Sequence, residues 1–186
     1  MSFVCYFSQL SPHRDLSSPV GYILEPLRIA LKLEMEGKQF FLDAAESTKS
    51  KLARQTFEFL AKEEDKHIEH IQKMCESVEG SQGKDLLDAG VSDANSKLAA
   101  FNARLAKLRD EFKGSADDVT AYNMALKFEN GAEEFYDKMM KESKDSRVKK
   151  FYKWLIEEES MHSRLLKSCL KFVDDPAVWF KAHKPG

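Results

Sequence analysis

Six residues of this 186-residue chain have the types and spacing to hold metal: Glu34, Glu64, His67, Glu129, Glu159 and His162. Glu64 with His67 and Glu159 with His162 form two Glu-x-x-His pairs. On a helix the members of such a pair lie one turn apart on the same face, so both can reach one ion from one side. Two pairs make two half-sites, and the lone carboxylates Glu34 and Glu129 can bridge them or complete their coordination. Four carboxylates neutralise two divalent cations, and two imidazoles bind as neutral ligands, so the filled site carries no net charge. Left without cations, four carboxylates in a core would have to take up protons or swell the structure. The same oxygen and nitrogen donors serve iron, manganese or zinc.

The elements that must position these residues follow from periodicity. Steps of three and four residues trace four apolar stripes. They are Leu27, Ala30, Glu34, Gly37, Phe41, Ala44; then Phe57, Leu60, Glu64, His67, Ile71, Met74; then Val119, Tyr122, Leu126, Glu129, Ala132, Tyr136; and Tyr152, Leu155, Glu159, His162, Leu166, Cys169, Val173. Each stripe is broken near its middle by a glutamate, and a buried carboxylate costs several kcal/mol unless something compensates it. One such glutamate can snorkel or pair with a lysine. Four at matched positions call for a shared explanation.

The match is a repeat. Glu34 and Glu129, Glu64 and Glu159, and His67 and His162 are each 95 residues apart, as are Phe40 and Phe135, Leu60 and Leu155, and Glu63 and Glu158. The chain therefore reads as two copies of one helical hairpin joined by a long connection. Within each hairpin the two glutamates straddle a polar turn symmetrically, Ser47 to Ser50 in the first and Lys144 to Ser146 in the second. On antiparallel helices they sit level, about 20 Å from the turn. Packing the hairpins about a pseudo-two-fold axis brings four glutamates and two histidines to one height.

Composition agrees with an all-α fold. Gly (8) and Pro (5) are scarce while 32% of residues are charged, which disfavours a turn-rich β domain. With 29 basic against 31 acidic residues, the net charge of -2 offers no bulk attraction to nucleic acid or a membrane surface. Three scattered cysteines, Cys5, Cys75 and Cys169, are too few for a disulfide framework and fit a reducing, cytoplasmic setting. The expected organisation is a poorly ordered extension over 1–22, a bundle over 23–175 and a tail over 176–186. Its hairpins cover about 27–75 and 116–173, and a crossover over 76–115 carries an amphipathic helix through Leu98, Phe101, Leu105, Leu108 and Phe112.

The stretches LEMEGKQFFLDAAE, FEFLAKEEDKHIEHI, FENGAEEFYDKMM and YKWLIEEESMHSRLL resemble the rubrerythrin branch of the ferritin-like superfamily, from about Leu27 to Val173. The resemblance implies a left-handed four-helix bundle with Glu34 and Glu129 as single-helix ligands and Glu64, His67, Glu159 and His162 as the Glu-x-x-His ligands. It also implies two iron ions, a homodimer, and reduction of hydrogen peroxide or dioxygen. Two departures stand out. The chain has no paired CxxC motifs of a rubredoxin-like domain, so a separate donor protein is expected to supply electrons. The family's additional glutamate, one turn after the third-helix ligand, is replaced by Ala132, with Gly37 at the equivalent place in the first helix and Glu133 one step out of register. Alternatives are an iron-binding or ferroxidase protein without turnover, and a structural bundle with a vestigial or non-iron site.

Several neighbours of the six invite a role. His70, one turn beyond His67, has Leu165 as its repeat partner and is expected to flank the site rather than bind. Tyr122 and Tyr136 share the Glu129 face and could hydrogen-bond near the metals or satisfy a core carboxylate. Glu63 and Glu158, each preceding a ligand glutamate, are expected to be solvated or to cap. Ser115 with Asp118 suggests a capping box, Asp145 or Ser146 a cap for the last long helix, and Trp179 and Phe180 of the tail are expected to dock on the bundle.

Overall fold

A computed structural model describes residues 19–79 and 116–182. The crossover with its Leu98 to Phe112 segment, the N-terminal segment with Cys5, and Ser115 lie outside the described residues, as does the side chain of Phe180. Among the described residues five helices run in order: α1 (Pro19–Ser47), α2 (Lys51–Glu79), α3 (Ala116–Glu142), α4 (Ser146–Asp174) and the short α5 (Pro176–Ala182). No strand occurs among the described residues. α1 pairs with α2 and α3 with α4, α1 also packs on α3, and α5 folds back on α4. This is the expected all-α bundle of two hairpins. No described helix is long and apolar enough to cross a membrane.

The turns explain why the hairpins close where they do. At the first, Ser50 Oγ accepts from Ala53 N at 3.2 Å and caps α2, while Thr48 Oγ1 donates to Asp118 Oδ1 at 2.6 Å and ties the turn to the start of α3. Asp118, expected in a capping box with Ser115, thus serves as an inter-hairpin acceptor and is buried. At the second turn Asp145 is the cap: its Oδ1 accepts from Arg147 N at 2.8 Å and its Oδ2 meets Arg147 Nη2 at 2.7 Å. The hydrogen bonds from Arg147 hold the Asp145 carboxyl below its usual range. Asp175 ends α4, its N donating to Lys171 O at 3.0 Å, and Pro176 opens α5, where the missing N–H is not needed. α5 then seats Trp179, 2% exposed, edge-on against Phe172 with its indole N–H donating to Ser168 Oγ at 2.9 Å. Docking of Trp179 by the tail is as expected.

α1 departs from expectation at its start. It begins at Pro19, ahead of the boundary at 23, and runs through Pro26 in its interior. Pro26 forfeits one intrahelical hydrogen bond. Leu24 and Leu27 on either side are 2% and 0% exposed, and each buried leucine contributes about 1.5–3 kcal/mol that offsets the loss.

The core is split in two. One apolar cluster, toward the turn of the first hairpin, contains Phe41, Phe57, Leu60, Tyr122, Leu166 and Phe172. The other, toward the turn of the second, contains Leu27, Ile71, Met74, Tyr136, Tyr152 and Leu155. Between them lies a layer of buried polar side chains. The stripe of α3 passes through Ala125, fully buried, rather than Leu126, which is half-buried together with Val119.

Candidate metal centre

All six sequence-singled residues meet in that layer. Glu34 is 2% exposed, Glu64, His67 and Glu159 are 1%, and Glu129 and His162 are 0%. α1 supplies Glu34, α2 Glu64 and His67, α3 Glu129, and α4 Glu159 and His162. Two ligand groups form. Glu34, Glu64, His67 and Glu159 place one donor atom each within 4.8 Å of one another, and so do Glu64, Glu129, Glu159 and His162. Glu64 and Glu159 belong to both. The shared carboxylates are therefore those of the Glu-x-x-His pairs, while Glu34 and Glu129 each complete one end. Of the two roles left open for the lone glutamates, completion fits the geometry and bridging does not.

Both histidines turn Nδ1 inward. His67 Nδ1 lies 3.1 Å from Glu34 Oε2, 3.2 Å from Glu64 Oε2 and 3.1 Å from Glu159 Oε1. His162 Nδ1 lies 3.3 Å from oxygens of Glu129 and Glu159 and 3.4 Å from Glu64 Oε1. The rings stack with centroids 5.1 Å apart. A donor facing three acceptors at once is the geometry of a common focus. Both oxygens of Glu64, Glu129 and Glu159 and both nitrogens of His162 are buried without a hydrogen-bond partner. Buried polar atoms are paired in the great majority of cases. Orphans this concentrated, on the donor types of a dinuclear carboxylate site, fit a pair of cations.

The electrostatics say how the layer exists without them. Burial, reinforced by the charges of Glu64 and Glu159, pushes the Glu34 carboxyl well up, and burial with Glu159 does the same to Glu129. Burial would also raise Glu64, but the neighbouring Glu34 carboxyl and the charge of His67 bring it down to about 2. Burial is likewise outweighed at Glu159, which Glu129, His67 and His162 hold well below its usual range. The imidazoles are raised, since burial is overcome by Glu34, Glu159 and Glu64 around His67 and by Glu129, Glu159 and Glu64 around His162. Without cations the layer is thus pushed to retain protons on Glu34, Glu129, His67 and His162, and divalent cations would displace protons there.

The chain belongs to the rubrerythrin family. A family model described as rubrerythrin matches residues 25–170, a span that contains all six residues of the layer. No curated protein and no solved structure matched the chain in the corresponding searches.

Other residues of this rubrerythrin-family chain divide between those the sequence placed, His70 and Tyr136 among them, and those it did not. Glu63 and Glu158, expected in solvent, are 3% and 2% exposed. A seam traced one residue wide underestimates the buried arc of a helix with neighbours on two sides. Glu63 Oε1 pairs with Lys66 at 2.5 Å, whereas Glu158 Oε2 approaches His67 Nε2 at 4.0 Å. Their 95-residue offset was the available signal. Tyr136 donates to Glu34 Oε1 across the bundle, so it satisfies a core carboxylate. Tyr122 stays away from the layer, with its hydroxyl 3.4 Å from Thr56 Oγ1 in the first apolar cluster. His70 is not in either ligand group; its Nδ1 donates to Lys66 O at 2.7 Å and its ring packs on Trp154 at 4.7 Å. Trp154, unremarked in the sequence, also meets the His67 ring edge-on at 5.5 Å. Glu133 is half-buried and belongs to neither group. Gly37 is buried, and a Cβ there would come within 2.6 Å of the Phe128 ring, which would have to shift to admit it.

Proposed function

We propose that the chain is a non-haem di-iron oxidoreductase, reducing hydrogen peroxide or dioxygen with electrons from a separate rubredoxin-like donor protein, and acting as a homodimer. The observation that carries this reading is the pair of buried ligand groups sharing Glu64 and Glu159. Family membership favours iron over manganese, and zinc has no redox chemistry to offer. Bound iron would supply the two electrons that convert one hydrogen peroxide and two protons into two waters.

The protein's own contribution is containment and orientation. Glu34, Glu64, Glu129 and Glu159 would balance the cationic charge, and His67 and His162 would ligate as neutral imidazoles through Nδ1. Tyr136 keeps its proton on its own oxygen, raised chiefly by burial and then by Glu34, and holds the Glu34 carboxylate by donating to it. The apolar clusters on either side exclude bulk water, which strengthens every charge interaction in the layer. The test is to mix the reduced, iron-loaded chain anaerobically with peroxide. Oxidation much faster than that of free ferrous iron, repeated on addition of reductant, is the expected result. A rate no faster than free iron would overturn the proposal.

A second reading is favoured by one observation: no carboxylate stands three residues after Glu34 or Glu129, where Gly37 is closed by Phe128 and Ala132 is 6% exposed. That reading is oxidation and holding of iron without turnover. It is distinguished by a single oxidation per loaded iron pair that reductant does not renew.

A further inference from the structure

The two ligand groups are related by the 95-residue repeat, yet they are not finished alike. In the first, Glu34 has both oxygens engaged: Oε1 accepts from Tyr136, and Oε2 lies 3.1 Å from His67 Nδ1 in a hydrogen bond. His67 is braced by the edge of Trp154, while its outer nitrogen, like that of His162, has no hydrogen-bond partner, the nearest carboxylate being Glu158 Oε2 at 4.0 Å. In the second, both oxygens of Glu129 and both nitrogens of His162 are without a hydrogen-bond partner. The sequence gives the reason. The repeat partner of Tyr136 is Phe41, and that of Glu34 is Glu129, so the position equivalent to the one that holds Glu34 carries a phenyl ring with no hydroxyl to donate. A second substitution points the same way. Glu63, the partner of Glu158, is drawn to Lys66 at 2.5 Å, while the position of Lys66 in the second repeat is Met161, which is fully buried and brings no charge to Glu158.

From this difference we infer that the two metal positions are inequivalent, and that Tyr136 is the positioning residue that makes the Glu34–His67 position the tighter of the two. Outer partners fix the orientation of ligating carboxylates and imidazoles before the ion arrives, so less ordering is left to be done on binding. Loss of such a partner lowers metal affinity by about 10–100-fold. The Glu129–His162 position lacks these partners and must order its ligands as it binds. It is the position that fills last and empties first. The inference rests on the dinuclear reading of the site but not on any redox turnover.

The test is a titration of the full chain, stripped of metal, with Mn(II), following disappearance of the free-ion electron paramagnetic resonance signal. Expected are two steps separated by at least about tenfold in affinity, the scale that outer partners set. Glu34→Gln should remove the tighter step and Glu129→Gln the weaker. Tyr136→Phe should weaken the tighter step by about 10–100-fold, so that the two merge. Phe41→Tyr provides an independent arm should Tyr136→Phe fail to fold: adding a hydroxyl on the Glu129 side should tighten the weaker step. Two equal steps in the unaltered chain, loss of the tighter step in Glu129→Gln, or a tighter step unmoved by Tyr136→Phe would each overturn the inference while leaving a dinuclear site standing. Failure to bind Mn(II) at all would overturn the dinuclear reading along with it.

Discussion

Around Glu34 and His67 the carboxylate is held by the Tyr136 hydroxyl and the imidazole is braced by the edge of Trp154, whereas the oxygens of Glu129 and the nitrogens of His162 have no hydrogen-bond partner. The helices, the heights and the ligand types are equivalent; the residues behind them are not. Ligand identity is dictated by what a cation requires, and both halves obey it. The supporting residues answer only to local packing, so they can differ. Four experiments break or sharpen this contrast.

The largest effect belongs to what the halves share. Glu64→Gln and Glu159→Gln each remove a carboxylate common to both ligand groups, so metal content measured by elemental analysis should fall from the proposed two ions per chain toward none. A variant that keeps one ion would mean that the groups do not share that residue.

Next comes pH. Glu34, Glu129, His67 and His162 are all raised in the folded chain, so each stabilises it fully below its unfolded value and ceases to as pH climbs through the folded one. With ordinary values of 4.5 for Glu and 6.5 for His, the midpoint of thermal unfolding of the metal-free chain should fall as pH rises above about 6.5, where all four contribute. Glu64 and Glu159 are lowered, act in the opposite sense, and lose their contribution only in strong acid. With divalent metal present the slope should reverse, because ions displace those same protons. Parallel slopes with and without metal would show that the four groups do not exchange protons for cations.

Packing beside the layer gives a smaller contrast. Gly37→Ala forces a Cβ to within 2.6 Å of the Phe128 ring and should cost about 1–3 kcal/mol in chemical denaturation. Its repeat partner already carries a methyl group, and Ala132→Gly should cost only about 0.5–1 kcal/mol through backbone entropy. Equal losses would mean that the two faces are equally tight. An effect of similar size to that of Ala132→Gly is expected at the turns: Thr48→Val removes the 2.6 Å bond to Asp118 and should cost about 0.5–1.5 kcal/mol without altering metal content.

The six residues of the layer were legible in the sequence because a buried carboxylate is conspicuous on an apolar stripe and a repeat makes it conspicuous twice. The hairpins were legible for the same reason, since level glutamates demand a turn midway. Which carboxylates are shared was not, because that depends on which helices face one another across the bundle and not on spacing along any one of them. Glu63 and Glu158 were misread because a helix between two neighbours buries more than one stripe. The start of the first helix at Pro19 was not read, because Leu24 and Leu27 hold the helix together across Pro26. Tyr136 was placed near the layer by its register on α3, but only the fold shows that its acceptor, Glu34, belongs to the opposite hairpin.

That cross-hairpin reach has a consequence for how such a molecule can diversify. Each ligand group takes three residues from one hairpin and one from the other on the first side, Glu34, Glu64 and His67 with Glu159, and the mirror arrangement on the second. A single hairpin therefore holds no complete group, and two free copies of one hairpin could assemble both groups only as identical twins. Joining the copies in one chain removes that constraint: a tyrosine can stand at 136 while a phenylalanine stands at 41. Covalent linkage here does more than raise the local concentration of two halves; it lets each half inherit its own history.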